Sequence, residues 1–331
     1  MSTLATDATA TPGAGLTARD RGAAGDHLFR WVALIAGLAV LAILALIAIS
    51  TTHEAWPALR IAKLHFFTST KWVPEAAEGT KPSFGAAAFI YGTFVASAIS
   101  LVLAVPVSVC IALFVTEVAP RRMRGTVTTL TDLLAAIPSV VWGLWALAVL
   151  APNVVGFYNR LHDVLGPLPV IGSLFGPNAQ GRSFMTAGII LAIMITPIIT
   201  SVMREVLLTV PRTDKDGALA LGATRWEMIR GVVFPHSFGG LMGGVMLGLG
   251  RAMGETIAIA LVIGSSNQIT ANLFQSGDAM PSRIINEWGE AVGPFRSALM
   301  ALGVVLFALT IVVNIGARAV VARAAHQMGG S

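Results

Sequence analysis

Arg251 and Glu255 are the only charged residues in the apolar run 238–265. Four residues apart, they share a helix face and can reach one another. A helix starting near Phe238 carries Arg251 roughly 20 Å along its axis at about 1.5 Å per residue, near the middle of a bilayer. A charge there costs about 2.5–3.5 kcal/mol on insertion scales, so the pair needs a reason to be there. One reading is a structural ion pair inside a helix bundle, although apolar replacements often serve a bundle as well. The other is an anion path: the guanidinium fork suits tetrahedral oxyanions, and Glu255 holds Arg251 while the path is empty. On that reading Glu255 is also a candidate to accept a proton from a hydrogen-bearing anion.

The same run is rich in glycine. Gly240, Gly244 and Gly248 recur every four residues, and Gly239, Gly243, Gly250 and Gly254 extend the small-residue pattern to other faces. Small residues at this spacing let helices approach closely in lipid; a helix that lines a path and slides against its neighbours is the alternative. Other chemistry is not written in the chain. None of the four lysines (Lys63, Lys71, Lys81, Lys215) follows a glycine, so no Walker A loop is present. Nor is there a nucleophile elbow, a paired set of catalytic carboxylates or a metal-ligand spacing among the six histidines and the lone Cys110. Gly13-Ala14-Gly15 with Ala18 matches a loose dinucleotide fingerprint, but no strand precedes it and no helical pattern follows. The expectation is a non-enzymatic chain without a cofactor.

The elements that must carry the pair follow from composition. Of 331 residues only 12% are charged and 55% are apolar, against roughly 25% charged in soluble domains. Such a chain cannot solvate a globular surface of its size. Spanning helices need about 20 apolar residues, and six candidates lie near 30–51, 85–115, 128–150, 184–208, 237–265 and 296–320, with Pro106, Pro138 and Pro197 as expected kinks. The expected fold is therefore an all-α, polytopic membrane protein with six transmembrane helices. Its permease domain covers 28–322, between a flexible cytoplasmic tail at 1–27 and a C-terminal tail at 323–331. Basic residues, above all Arg121-Arg122-Met123-Arg124, favour both termini and the even-numbered turns on the cytoplasmic side, which also accounts for the formal charge of +5.

One cytoplasmic segment is more than a turn. In residues 209–236, Ala218, Leu219 and Leu221 form a short apolar face, Gly222 breaks it, and Trp226, Ile229 and Val233 form a second at helical spacing. Two short amphipathic helices joined at a glycine suit a segment gripped by a partner.

Here the chain resembles the permeases of ATP-binding-cassette (ABC) importers. Their cytoplasmic loop has the pattern Glu-Ala-Ala, three residues, Gly, nine residues, then Ile-x-Leu-Pro. This chain has Asp216-Gly217-Ala218, Gly222, and then Val232-Val233-Phe234-Pro235 at the same spacing. Asp for Glu, Gly for Ala, Val for Ile and Phe for Leu are departures. Within that superfamily the chain is similar to phosphate-import permeases of the C type. The residues that carry this are Ala136-Ile137-Pro138-Ser139-Val140-Val141-Trp142-Gly143, Leu221-Gly222-Ala223-Thr224 with Trp226-Glu227, and Gly248 to Thr256 around Arg251 and Glu255. The resemblance implies a type I ABC importer permease fold in the plasma membrane. It implies a second permease subunit, two ATPase subunits docked on a coupling loop at 213–235, and an extracytoplasmic phosphate-binding protein. It also implies that Arg251 and Glu255 matter for translocation by alternating access. Permeases for sulfate, molybdate or phosphonate, and an ATP-independent transporter or channel, are the competing readings.

Overall fold

A computed structural model of the chain describes residues 23–74, 82–169, 171–177 and 179–328. Residues 1–22 of the expected N-terminal tail and 329–331 of the C-terminal tail lie outside them. The chain divides into two compact units, Met1–Ser50 and Thr51–Ser331. The first holds the apolar body of helix α1 (Ala23–Ala62), which starts inside the segment expected as a tail.

The second unit is built almost wholly from helices. After a single turn, α2 (His65–Thr68), a two-residue antiparallel ribbon pairs β1 (Trp72–Val73) with β2 (Ser83–Phe84). The helices that follow are α3 (Ala87–Leu113), α4 (Arg121–Ala136), α5 (Ser139–Trp145), α6 (Ala151–Leu165) and α7 (Phe184–Leu208). Next come α8 (Arg212–Ala220), α9 (Arg225–Met228), α10 (Phe234–Met253), α11 (Ile257–Val262), α12 (Met280–Glu287) and α13 (Gly293–Met328). Three π-helical turns, Phe114–Val118, Ala146–Leu150 and Ile229–Val233, extend or join these elements.

Among the described residues six helical stretches are long and apolar enough to cross a membrane: Gly25–Ala62, Ala87–Val118, Ser139–Leu165, Phe184–Leu208, Arg225–Met253 and Gly293–Ala319. The third differs from the expected 128–150. Pro138 does not kink a span but separates two helices, because the residue before a proline is driven out of the α region; Ile137 is extended, with ψ 126°. The preceding helix α4 is a separate amphipathic element packed on α7. Arg160 therefore belongs to the third span. Pro106 and Pro197 do lie inside helices, α3 and α7.

Helix α7 is the bundle's centre and packs against α3 and α10. Ile195, Ile199, Met203 and Leu207 of α7 share one core with Ala104 and Ala112 of α3 and Leu241 of α10. The glycine stripe explains how α10 comes so close. A Cβ at Gly240 would sit 2.5 Å from a Val206 methyl, and one at Gly248 would sit 2.5 Å from Ile199 Cδ1. Close packing is therefore the role of the Gly240–Gly244–Gly248 row. Gly239, Gly243 and Gly250, on another face, have no neighbour within 4 Å of a built Cβ.

Candidate functional site

The expected fifth helix, 237–265, is not continuous. Helix α10 stops at Met253, residues Gly254 to Thr256 are irregular, and α11 resumes at Ile257. The expected single helix over 237–265 is thus two, broken at the charged pair. Irregular backbone at membrane depth is tolerated only where protein buries it or it lines a polar cavity. Discontinuous helices of this kind are a common way to build midplane binding sites.

The break separates the environments of the two charges. Glu255 is buried, with 5% of its side chain exposed, whereas Arg251 is 52% exposed; their closest approach is 3.5 Å, from Nη2 to Oε2. The other carboxylate oxygen, Oε1, accepts the Ala258 backbone N–H at 3.4 Å. Glu255 is therefore fastened to the first turn of α11 while Arg251 leans out from the last turn of α10. Helix α5 backs the arrangement. Gly143 lies so close to α11 that a Cβ there would meet the Ala258 Cα at 2.9 Å. The Ala136–Gly143 segment thus acts twice, Pro138 starting the helix and Gly143 seating it behind the break.

Arg251 opens into a cavity of about 950 Å³ between α10 and α13. Its α10 wall is the glycine face that α7 does not cover, Gly239, Gly243 and Gly250, with Met242 and Met246. Its α13 wall includes Asn314 and Arg318. A half-exposed guanidinium facing a wide groove, with its carboxylate partner fixed behind it, can engage an incoming anion without first leaving a tight salt bridge.

The expected coupling segment forms a second assembly. Helix α8 carries Asp216, Gly217 and Ala218, and ends at Gly222, whose φ of +89° places it in the left-handed region. The Ala223 N–H reaches the Ala218 carbonyl at 3.1 Å and the Gly222 N–H the Leu219 carbonyl at 3.0 Å. This is the Schellman closure that favours glycine at the turn. Helix α9 then begins with a capping box between Thr224 and Glu227. Met228, Ile229 and Val233 are buried in the core shared with α3 and α7. The tip is the opposite: Leu221 is 92% and Trp226 62% exposed. Pro235 lies in the first turn of α10. One end of the segment is rooted in the span bundle and the other presents bare apolar side chains.

Sequence reading missed a second fastening of this segment. Lys215 Nζ lies 2.6 Å from Glu117 Oε1, both largely buried, tying α8 to the π turn that closes the second span. The two are 98 positions apart, so no local spacing rule could have paired them. Also missed is a network around Arg283. It pairs with the buried Asp278 at 2.8 Å and with Glu287, and it donates to Asn267; Glu287 in turn accepts the Trp72 indole N–H at 2.8 Å.

Residues 104–326 match the family model of the binding-protein-dependent transport system inner membrane component. That stretch covers both segment 213–235 and the broken helix. The chain belongs to this family of importer permeases. Among the relatives of this permease, a phosphate transport system permease protein PstC of Xylella fastidiosa strain Temecula1 is 42% identical, with 99% of each chain covered. The protein of the same name from Mesorhizobium japonicum is 40% identical over 92% of each chain. A solved bacterial alginate ABC transporter, in complex with its pentasaccharide-bound periplasmic protein, has a subunit that superposes with a TM-score of 0.58. At 17% identity, and covering 89% of this permease and 96% of that subunit, it attests the importer permease fold. The permease is thus a multi-pass membrane transport subunit of an ABC importer rather than an enzyme, and ATP hydrolysis belongs to a separate subunit.

Proposed function

We propose that this permease moves inorganic phosphate into the cytoplasm by alternating access, with Arg251 on the anion's route and Glu255 as its resting counter-charge. The observation that carries the reading is the half-exposed Arg251 guanidinium at a helix break, facing a groove, with Glu255 buried behind it. Phosphate is preferred over other oxyanions because relatives at 40–42% identity over nearly the whole chain are phosphate permeases by name. A hydrogen-bearing anion also matches the chemistry at hand, since a carboxylate can accept a hydrogen bond from its O–H while Arg251 holds its oxygens.

The partners in this reading are a second permease subunit, two ATPase subunits and an extracytoplasmic phosphate-binding protein. Segment 213–235, with Asp216, Gly217, Ala218, Gly222 and Pro235, is the ATPase coupling loop. Its apolar tip at Leu221 and Trp226 and its buried root at Met228 to Val233 support that role. Closure of the ATPase pair moves the tip, and the root carries the motion into α7 and α10. The loop and both termini then face the cytoplasm, in accord with the basic residues of the sequence.

Uptake of radiolabelled phosphate in cells whose only such importer contains this chain tests the substrate. Unlabelled phosphate is expected to compete and sulfate, molybdate and phosphonate to compete poorly. Transport indifferent to phosphate overturns the assignment.

A further inference from the structure

The groove in front of Arg251 holds a second guanidinium that the translocation reading leaves without a task. Arg318 and Asn314 lie four residues apart on α13, and both line the same cavity as Arg251. The facing wall, from Gly239 through Met246 to Gly250, is free of side-chain charge until Arg251 itself. Neither Phe234–Met253 nor Gly293–Met328 contains an Asp or Glu. The groove is therefore lined by two guanidiniums and one amide; the carboxylate paired with Arg251, Glu255, is buried behind it, and neither helix brings one to Arg318. Basic groups between low-dielectric walls concentrate counter-ions.

The order along the groove follows from topology. Helices α10 and α13 lie in successive spans, so they cross the bilayer in opposite directions. Arg251 is near the end of α10, and Arg318 is near the end of the apolar span Gly293–Ala319 that α13 carries. The two arginines thus lie toward opposite ends of the cavity, whose α10 wall from Gly239 to Arg251 is about 18 Å long at 1.5 Å per residue. Arg318 is on the side where α10 begins and the coupling segment hangs.

We propose that Asn314 and Arg318 form an exit station for a tetrahedral oxyanion, taking it over from Arg251 on the cytoplasmic side of the path. This rests on the translocation reading of Arg251. A single deep guanidinium would hold an anion in an apolar groove; a second one nearer the exit supplies a place to go, as multi-site paths require for release. Asn314 adds an amide donor beside Arg318, one helical turn away.

The test uses the intact complex that co-purifies with this chain, reconstituted in vesicles of defined lipid, with phosphate as probe. Arg318→Gln is expected to lower uptake about tenfold at unchanged subunit content, the scale of one lost charge-assisted contact. Arg318→Lys is expected to restore most of it, and Asn314→Ala to cause a smaller fall. Full uptake by Arg318→Gln overturns the proposal. The phosphate of a lipid headgroup is the other source of the same chemistry. If removing anionic lipid from the vesicles reproduces the defect in the wild type, Arg318 serves the membrane and the proposal is overturned. Wild-type transport of sulfate in place of phosphate, with the same dependence on Arg318, upholds the exit station and overturns only the phosphate assignment.

Discussion

At the scale of single residues, burial divides the work between Arg251 and Glu255. A carboxylate that is 5% exposed and a guanidinium that is 52% exposed form an asymmetric ion pair at 3.5 Å, with one member already half in the groove. Arg251→Ala is expected to cut uptake by more than about tenfold, consistent with loss of a charge-assisted bond to the anion, while the complex still assembles. Arg251→Lys should recover only part, because an ammonium lacks the two-pronged geometry. Glu255→Gln keeps an oxygen for the Ala258 N–H, so it should assemble and be defective in turnover. Uptake normalised to membrane abundance checks all three, and near-normal transport by Arg251→Ala removes that residue from the route. The pair was legible because charge is so rare in the apolar runs. Its asymmetry was not: spacing puts both residues on one face of a continuous helix, and the break at Gly254 to Thr256 changes which of them faces the groove.

At the scale of elements, the proposed coupling segment depends on one backbone conformation and one long-range ion pair. Gly222 sits at φ +89° with nothing within 4 Å of a built Cβ, so a side chain is opposed there by backbone strain rather than by a clash. Gly222→Val should destabilise the α8–α9 turn by about 1–2 kcal/mol and weaken both ATPase co-purification and uptake. Gly222→Asn, which tolerates left-handed backbone better, should lose less. Equal behaviour of the two variants would count against the turn as the cause. Lys215→Met leaves the Glu117 carboxylate buried without its partner, a change costing of the order of 3 kcal/mol. It is expected to leave ATP hydrolysis running with reduced transport, and exchange of the two charges (Glu117→Lys with Lys215→Glu) should restore part of the coupling. No rescue by the exchange would mean that the pair only stabilises the fold. The two short helices and their glycine hinge were readable from apolar spacing. The Glu117 tie was not, because it joins segments that meet only after α3 and α7 have packed.

At the scale of the whole molecule, the Arg251 groove lies on the spans while two polar assemblies lie in the connections between them. One is the coupling segment. The other joins the 266–291 connection to the β1–β2 ribbon through Asp278, Arg283, Glu287 and Trp72. Burial pushes the Asp278 carboxyl above its ordinary 3.8, outweighing the opposing pull of Arg283. A carboxyl whose folded pKa is raised contributes stability that is fully present below the unfolded value and is lost as pH rises through the folded one. Thermal melting of the purified complex is therefore expected to show a loss beginning just above pH 3.8. Asp278→Asn should lack that component; an unchanged pH profile in the variant would assign the loss to other carboxylates.

The sequence by itself determined that this chain lives in lipid, that it crosses the membrane six times, and that one charged pair interrupts an apolar run where charge is costly. Those properties depend on composition and on spacing within a single helix, which survive before any packing occurs. It also displayed, in 209–236, two short helices joined at a glycine, with Gly222 and Pro235 at the spacing of the proposed coupling loop. Only the tertiary structure decided that Pro138 divides two helices and moves the third span to 139–165, that the helix carrying Arg251 stops at Met253, before Glu255, and that α13 brings Arg318 into Arg251's groove. Each of these depends on helices far apart in sequence: α11 is held against Gly143 of α5, and α10 is drawn onto α7 by its glycine row. That packing leaves the opposite face of α10 open toward α13, where no periodicity along one helix could show what would line it.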